Sequence, residues 1–262
     1  MEIETGIAIA GSAVGGAIAS KELLIKALGP TAEYFGGELK KLVEKCNINL
    51  TDVFGSSVRK GAGDIAGSVN LRVAKAIIDD AAYCDDALLK DYYGGLLCGS
   101  KSEDGDDAAL SYVSILRGMS RIQVKTHFLI YAHLHRNIVG KFKSITDQAE
   151  REKIVVVLTL RRYFSYVGGA FPDEEAVINH VASGLTRAGL IGPFYQYGET
   201  DYIASRFPEL PVQEPSFVVC PSILGVELFL WASGIKNPNP NHILQPNSDL
   251  LSRFSDDIRN SV

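Results

Sequence analysis

The sequence lacks the spacings that mark covalent or metal frameworks. Its four cysteines, Cys46, Cys84, Cys98 and Cys220, include no C-x-x-C pair. Neither a zinc site nor a disulfide scaffold is therefore suggested, and reduced thiols in a cytoplasmic protein are the simplest reading. No basic stretch opens the chain: Glu2 and Glu4 stand where a secretory signal would carry positive charge, which predicts no cleavable leader. A surplus of basic residues is missing too, since the formal charge is −5 over 262 residues. That balance argues against a protein that coats nucleic acid. No serine sits in a nucleophile elbow and no histidines in an H-E-x-x-H context, so no catalytic residue, metal ligand or cofactor is assigned.

What is present is apolar residue at helical spacing, most clearly from Val69 to Val139. Val69, Val73, Ala76 and Ile77 share one helical face. Behind Asp85 or Asp86 as N-cap, Leu88, Leu89, Tyr92, Tyr93, Leu96 and Leu97 form a second stripe, with Gly99 read as the residue just past its end. The acidic loop 102–107 lacks the ligand order of a calcium loop and reads as a solvated turn leading into a short helix over 108–117. Ser120 and Gln123 have capping-box spacing before a long helix through Phe128, Leu134 and Ile138. His127, His133 and His135 lie on that helix, but zinc pairs use i, i+4 spacing, which these three do not have.

Upstream, Gly6–Ser20 is uncharged and rich in Gly and Ala. Its 15 residues fall short of the about 18–20 that span a bilayer, and a closely packed core helix is one reading. The other is membrane contact or oligomerisation, because Ala8, Ser12 and Gly16 form one small-residue row and Gly11, Gly15 and Ala19 another. Gly11-x-Ala13-x-x-Gly16 approaches a dinucleotide fingerprint, but no second strand or acidic partner follows. Thr31 to Lys45 reads as an amphipathic helix with Tyr34, Phe35, Leu39, Leu42 and Val43 inward. The Gly/Ser-rich 47–70 stretch reads as a connector or a loosely helical segment.

After a polar linker at 140–152 the pattern changes. Ile154–Leu160 is a strand or a buried helical turn. Asp173 caps a helix ending at Gly189, Leu190–Tyr197 reads as a strand, 198–215 as a wing-like excursion, and Ser216–Cys220 as a second strand. Pro221 is placed at the start of a helix that Gly234 stops. The expectation is a mainly α chain: a helical bundle over 1–142, then a small winged-helix-like α+β module over 143–262 with a C-terminal strap. The second part, from Arg151 on, carries nine Lys and Arg against twelve Asp and Glu, net −3. Protein binding is favoured over DNA reading there, with Arg187, Tyr195 and Tyr197 as its candidate surface.

Asp79–Leu97 followed by Asp107–Val124 resembles the abortive-infection alpha (Abi-alpha) family of bacterial proteins. Asp85, Asp86, Leu88, Leu89, Leu96 and Leu97 sit on the family's acidic, leucine-rich segment, and Leu116, Met119 and Ser120 on the segment after it. Leu28-Gly29-Pro30-Thr31-Ala32-Glu33 looks like its opening helix, and Leu185–Ile191 like a later Leu-Gly-Leu-Ile stretch. Tyr92-Tyr93-Gly94-Gly95 departs from the family's Trp-Ala pair. The resemblance implies a role in abortive infection, and the lack of an active site makes the first reading a non-enzymatic antiphage protein that self-associates or binds a protein partner. The mechanism attached to it is oligomerisation with membrane disturbance through the small-residue rows of Gly6–Ser20. A soluble adaptor that binds a phage or host protein is the alternative, and a nucleic-acid-binding regulator the third reading.

Overall fold

A computed structural model describes residues 32–61, 68–102, 106–168, 171–245 and 250–260; Gly6–Ser20 and Thr31, the first residue of the helix expected to Lys45, lie outside them. Helix α1 (Ala32–Lys60) runs for 29 residues without a break, so of the two readings of 47–70, connector or loosely helical segment, the helical one holds as far as Lys60. The reason is packing. Asn49, Val53, Ser56, Ser57 and Lys60 are buried at helical spacing, and the small serines that suggested a loop are where another helix approaches closely.

That helix is α3 (Ala87–Gly99), reached through a short strand β1 (Ser68–Val69) and α2 (Leu71–Ala81). Asn70 caps α2 and Asp86 caps α3, each side chain accepting from a backbone N–H of the first turn. Val73 and Ile77 are fully buried. Gly99 is the last helical residue of α3, not the one beyond it, and Ser100 is its C-cap. A Cβ on Gly99 would lie 2.8 Å from both the Ile235 carbonyl oxygen and the Trp231 ring, so this glycine makes room for a neighbour. The strand β2 (Lys101–Ser102) pairs antiparallel with β1. Helices α4 (Ala109–Arg117) and α5 (Arg121–Ile138) follow, and α5 opens with the full Ser120/Gln123 capping box.

Beyond α6 (Gln148–Arg151) come β3 (Val156–Thr159), α7 (Leu160–Val167), α8 (Glu174–Arg187), β4 (Ile191–Gly198), α9 (Thr200–Arg206), β5 (Ser216–Pro221) and α10 (Ile223–Ala232). The Ile154–Leu160 run is therefore strand first and helix after. Asp173 caps α8, and Gly189 follows it at φ +70°. The sheet is antiparallel in the order β3-β5-β4, with Phe217 facing Leu158 on one side and Tyr197 on the other. Two helices between the first and second strands, with the last strand in the middle, make the module winged-helix-like. Its excursion is not an open wing: α9 folds back, and Ile203, Phe207 and Val218 form a small second core on that side of the sheet.

Pro221 closes β5 opposite Ile191 and does not start α10; Ser222 caps that helix, its hydroxyl accepting from the Gly225 N–H at 3.0 Å. From Val226 to Ala232 only Glu227 escapes full burial. A helix apolar on nearly every side has to be enclosed, and α10 packs on α3, α5 and the 3-10 turn at Pro240–Leu244. After the 3-10 turn Leu251–Arg253 and before α11 (Asp256–Asn260), Phe254 enters the core. Its ring centroid lies 4.8 Å from that of Phe128, 5.6 Å from Phe229 and 6.1 Å from Tyr92. One buried cluster runs from Val53 to Ile258, crossing the 142/143 boundary through Ile138, Ile145 and Ile154.

Candidate functional site

The buried polar groups are the first place to look for chemistry. Lys60 has no exposed side-chain surface. Its Nζ donates to Asp91 Oδ2 and to the Asp91 carbonyl, both at 2.6 Å, and to the Ala232 carbonyl at 2.8 Å. It also sits 4.5 Å above the Phe254 ring. Asp91 further accepts from Ser56 Oγ at 2.7 Å and from Arg59. Burial pushes the Lys60 ammonium down to about 8 against the pull of Asp91. An amine with every donor engaged and no surface open to solvent cannot exchange a proton with a substrate. This centre ties α1, α3 and α10 together, and the carboxylate is what makes the buried charge tolerable.

His127 plays the same part between α3, α5 and α10. Its Nε2 lies 3.0 Å from the Gly225 carbonyl, which can only accept, so Nε2 carries the proton. Nδ1 then accepts from the Tyr92 hydroxyl at 2.8 Å. Tyr131 donates to the Leu190 carbonyl at 2.5 Å and accepts from the Ser222 N–H at 3.1 Å, joining the strand β4 turn to the start of α10. His135 bonds the Ile243 carbonyl at 2.9 Å. Among the described residues no group of three or more His, Cys, Asp or Glu could hold a metal ion. The four cysteines are free, and burial raises the thiols of Cys84, Cys98 and Cys220, the opposite of nucleophilic activation.

Of the surface residues expected to bind a partner, Arg187 stands apart from Tyr197. Arg187 is exposed in the last turn of α8, while Tyr195 and Tyr197 are half-buried on β4. The Tyr197 hydroxyl is shared between Glu175 Oε1 at 3.0 Å and Asn179 Oδ1 at 3.1 Å. Glu175 and Arg187 are twelve residues apart on α8, about 18 Å along its axis.

The exposed apolar surface is elsewhere. Of nine large apolar side chains exposed among the described residues, five lie on α1: Leu42, Val43, Ile48, Phe54 and Val58. Leu42 and Val43 were expected inward and are 44% and 39% exposed; the side chains of Tyr34, Phe35 and Leu39 lie outside the described set. Among the described side chains of α1, from Lys41 on, Asn49 is the first that is buried. Val43, Phe54 and Val58 lie along one flank, at i, i+11 and i+15, with the partly buried Leu50 between them packed on the core. Periodicity shows that such a face is apolar but not whether anything covers it.

A second surface feature is a cleft of about 500 Å³ between α5, β3 and α7. His133, Arg136, Arg161 and Arg162 line it together with Thr159 and apolar residues of β3. Among the described residues no carboxylate lines it. Only the Arg161-Arg162 pair was visible in the sequence; Arg136 is 25 positions away and arrives because α5 packs on β3.

No family model, no curated protein and no solved structure matches the chain. Among the described residues no helix is long and apolar enough to cross a membrane. The fold is that of a mainly helical protein with a small antiparallel sheet.

Proposed function

We propose that this chain is a non-enzymatic antiphage protein that acts by associating with a second copy of itself through the apolar flank of α1. The observation that carries the reading is the set of exposed apolar side chains on α1, with Val43, Phe54 and Val58 along one flank. A two-fold pair of such helices covers both flanks with the same patch, and an apolar patch left in water is the ordinary mark of an interaction site. The small-residue rows of Gly6–Ser20 lie directly upstream, where they extend the same association or bring it to a lipid surface. The antiphage role is supported by the resemblance of Asp79–Leu97 and Asp107–Val124 to the Abi-alpha segments. A structural use for each buried histidine and lysine with a described partner favours binding over catalysis.

Sedimentation velocity on the full chain tests the association. Phe54 and Val58 are exposed, so Phe54→Glu with Val58→Glu leaves the fold intact. The wild type is expected to sediment as a dimer or larger at micromolar concentration, and the double variant as a 28.4 kDa monomer. A wild type that remains monomeric throughout that range would remove the reading.

A further inference from the structure

We propose that the cleft between α5, β3 and α7 binds a phosphate-bearing small molecule, an activity separate from association at α1. Charge is the first ground. Three guanidiniums, from Arg136, Arg161 and Arg162, stand around one opening in a chain whose net charge is −5. Arg161 reaches Glu214 only at 3.6 Å, with both side chains well exposed, a pair that costs little to release. Guanidinium is the group that meets phosphate oxygens through two parallel hydrogen bonds. The potential is felt by His133, whose imidazole is disfavoured as a cation by burial and then by Arg162 and Arg136.

The second ground is an unpaired group. The Thr159 Oγ1 is buried without a hydrogen-bond partner, and Thr159 is among the residues that line the cleft. Thr159 stands at the N-cap of α7, yet its side chain makes no capping bond. A buried hydroxyl left unpaired is costly, and a turn of this side chain toward the cleft that its residue lines would give it a ligand oxygen as partner.

Size decides the class of ligand. A volume of about 500 Å³ is that of a small-molecule site, with Leu129, Val157 and Leu158 as apolar wall for the organic part. A long polyanion would meet the acidic remainder of the chain. The ligand is thus a phosphate ester or anhydride of mononucleotide size.

Isothermal titration of the full chain with ADP, AMP, inorganic phosphate and a short DNA duplex tests this. ADP is expected to saturate one site and to bind about tenfold or more tightly than inorganic phosphate. Arg162→Glu should weaken ADP by about tenfold or more, while Arg259→Glu on α11 leaves it unchanged. Thr159→Val should weaken ADP binding yet hold or raise the thermal midpoint, since it removes an unpaired hydroxyl; a merely structural threonine would not separate the two readouts. Absence of a saturable signal with ADP, equal affinity in Arg162→Glu, or duplex binding through Arg162 with ADP inert would each overturn the proposal.

Discussion

Gly95→Ala is expected to cost a large part of the total stability, although it adds one methyl group to a helix. A Cβ at Gly95 would lie 1.9 Å from the Ala232 carbonyl oxygen and 2.4 Å from its carbon. Those atoms are backbone of α10, a helix enclosed by α3, α5 and the C-terminal strap, so they have nowhere to retreat. The neighbouring Gly94 meets α1 in the same way, with Ser56 Cβ at 2.5 Å and the Val53 carbonyl oxygen at 2.8 Å from an added Cβ. Two adjacent glycines thus let α3 lie between two helices at once. Overpacking ordinarily costs about 1–3 kcal/mol and more where backbone must move, so a loss of about 3 kcal/mol or more is expected, against a total of about 5–15. Gly55→Ala on α1 is the control. Nothing lies within 4 Å of its added Cβ, and helix propensity then favours alanine by up to about 1 kcal/mol. Urea midpoints of the two variants should fall on opposite sides of the wild type; similar midpoints would mean that α3 and α10 are not in contact as described.

Acid is the second large lever, and His127 is its origin. Burial holds this imidazole down to about 3, against 6.5 for a free histidine. Between those values the unfolded chain binds a proton that the folded chain refuses. Stability is therefore full above about pH 6.5 and falls as the pH drops toward 3, by about 1.4 kcal/mol per pH unit from this group. A proton on Nδ1 would also oblige the Tyr92 hydroxyl to turn from donor to acceptor in the link between α3 and α5. His133 is lowered in the same direction and adds to the slope. His127→Phe should be less stable at pH 7 by roughly 2–4 kcal/mol, because Tyr92 and the Gly225 carbonyl lose their partner. Its deficit should shrink steadily below pH 6.5, as only the wild type carries the His127 penalty. Denaturation curves measured from pH 7 to pH 4 check this; deficits that stay constant would show that His127 is not held neutral.

Local chemistry was legible in the sequence and distant pairing was not. Asp86, Ser120 and Asp173 cap the helices their spacing announced, since a cap is decided within four residues. The strands at Ile191 and Ser216 were readable for a similar reason, each being a short apolar run between turn residues. Ser56 and Ser57 misled because small residues serve loops and close helix crossings alike. Gly99 did so for the same reason, and Pro221 because β5 lasts one residue longer than its apolar run. The excursion after Gly198 hid α9, whose burial depends on Val218 across the sheet. The Lys60–Asp91 pair spans 31 positions, and the arginine cleft depends on packing of α5 against β3; neither leaves a local trace.

Whether this chain acts against phage through α1 is tested most directly by plating tailed phages on cells producing it. Cells making the wild type are expected to give fewer plaques than cells carrying no copy, and cells making Phe54→Glu with Val58→Glu the same number as empty cells, at equal soluble protein levels. Equal plaque counts on all three would contradict the antiphage reading, and undiminished restriction by the double variant would contradict the place given to the apolar row.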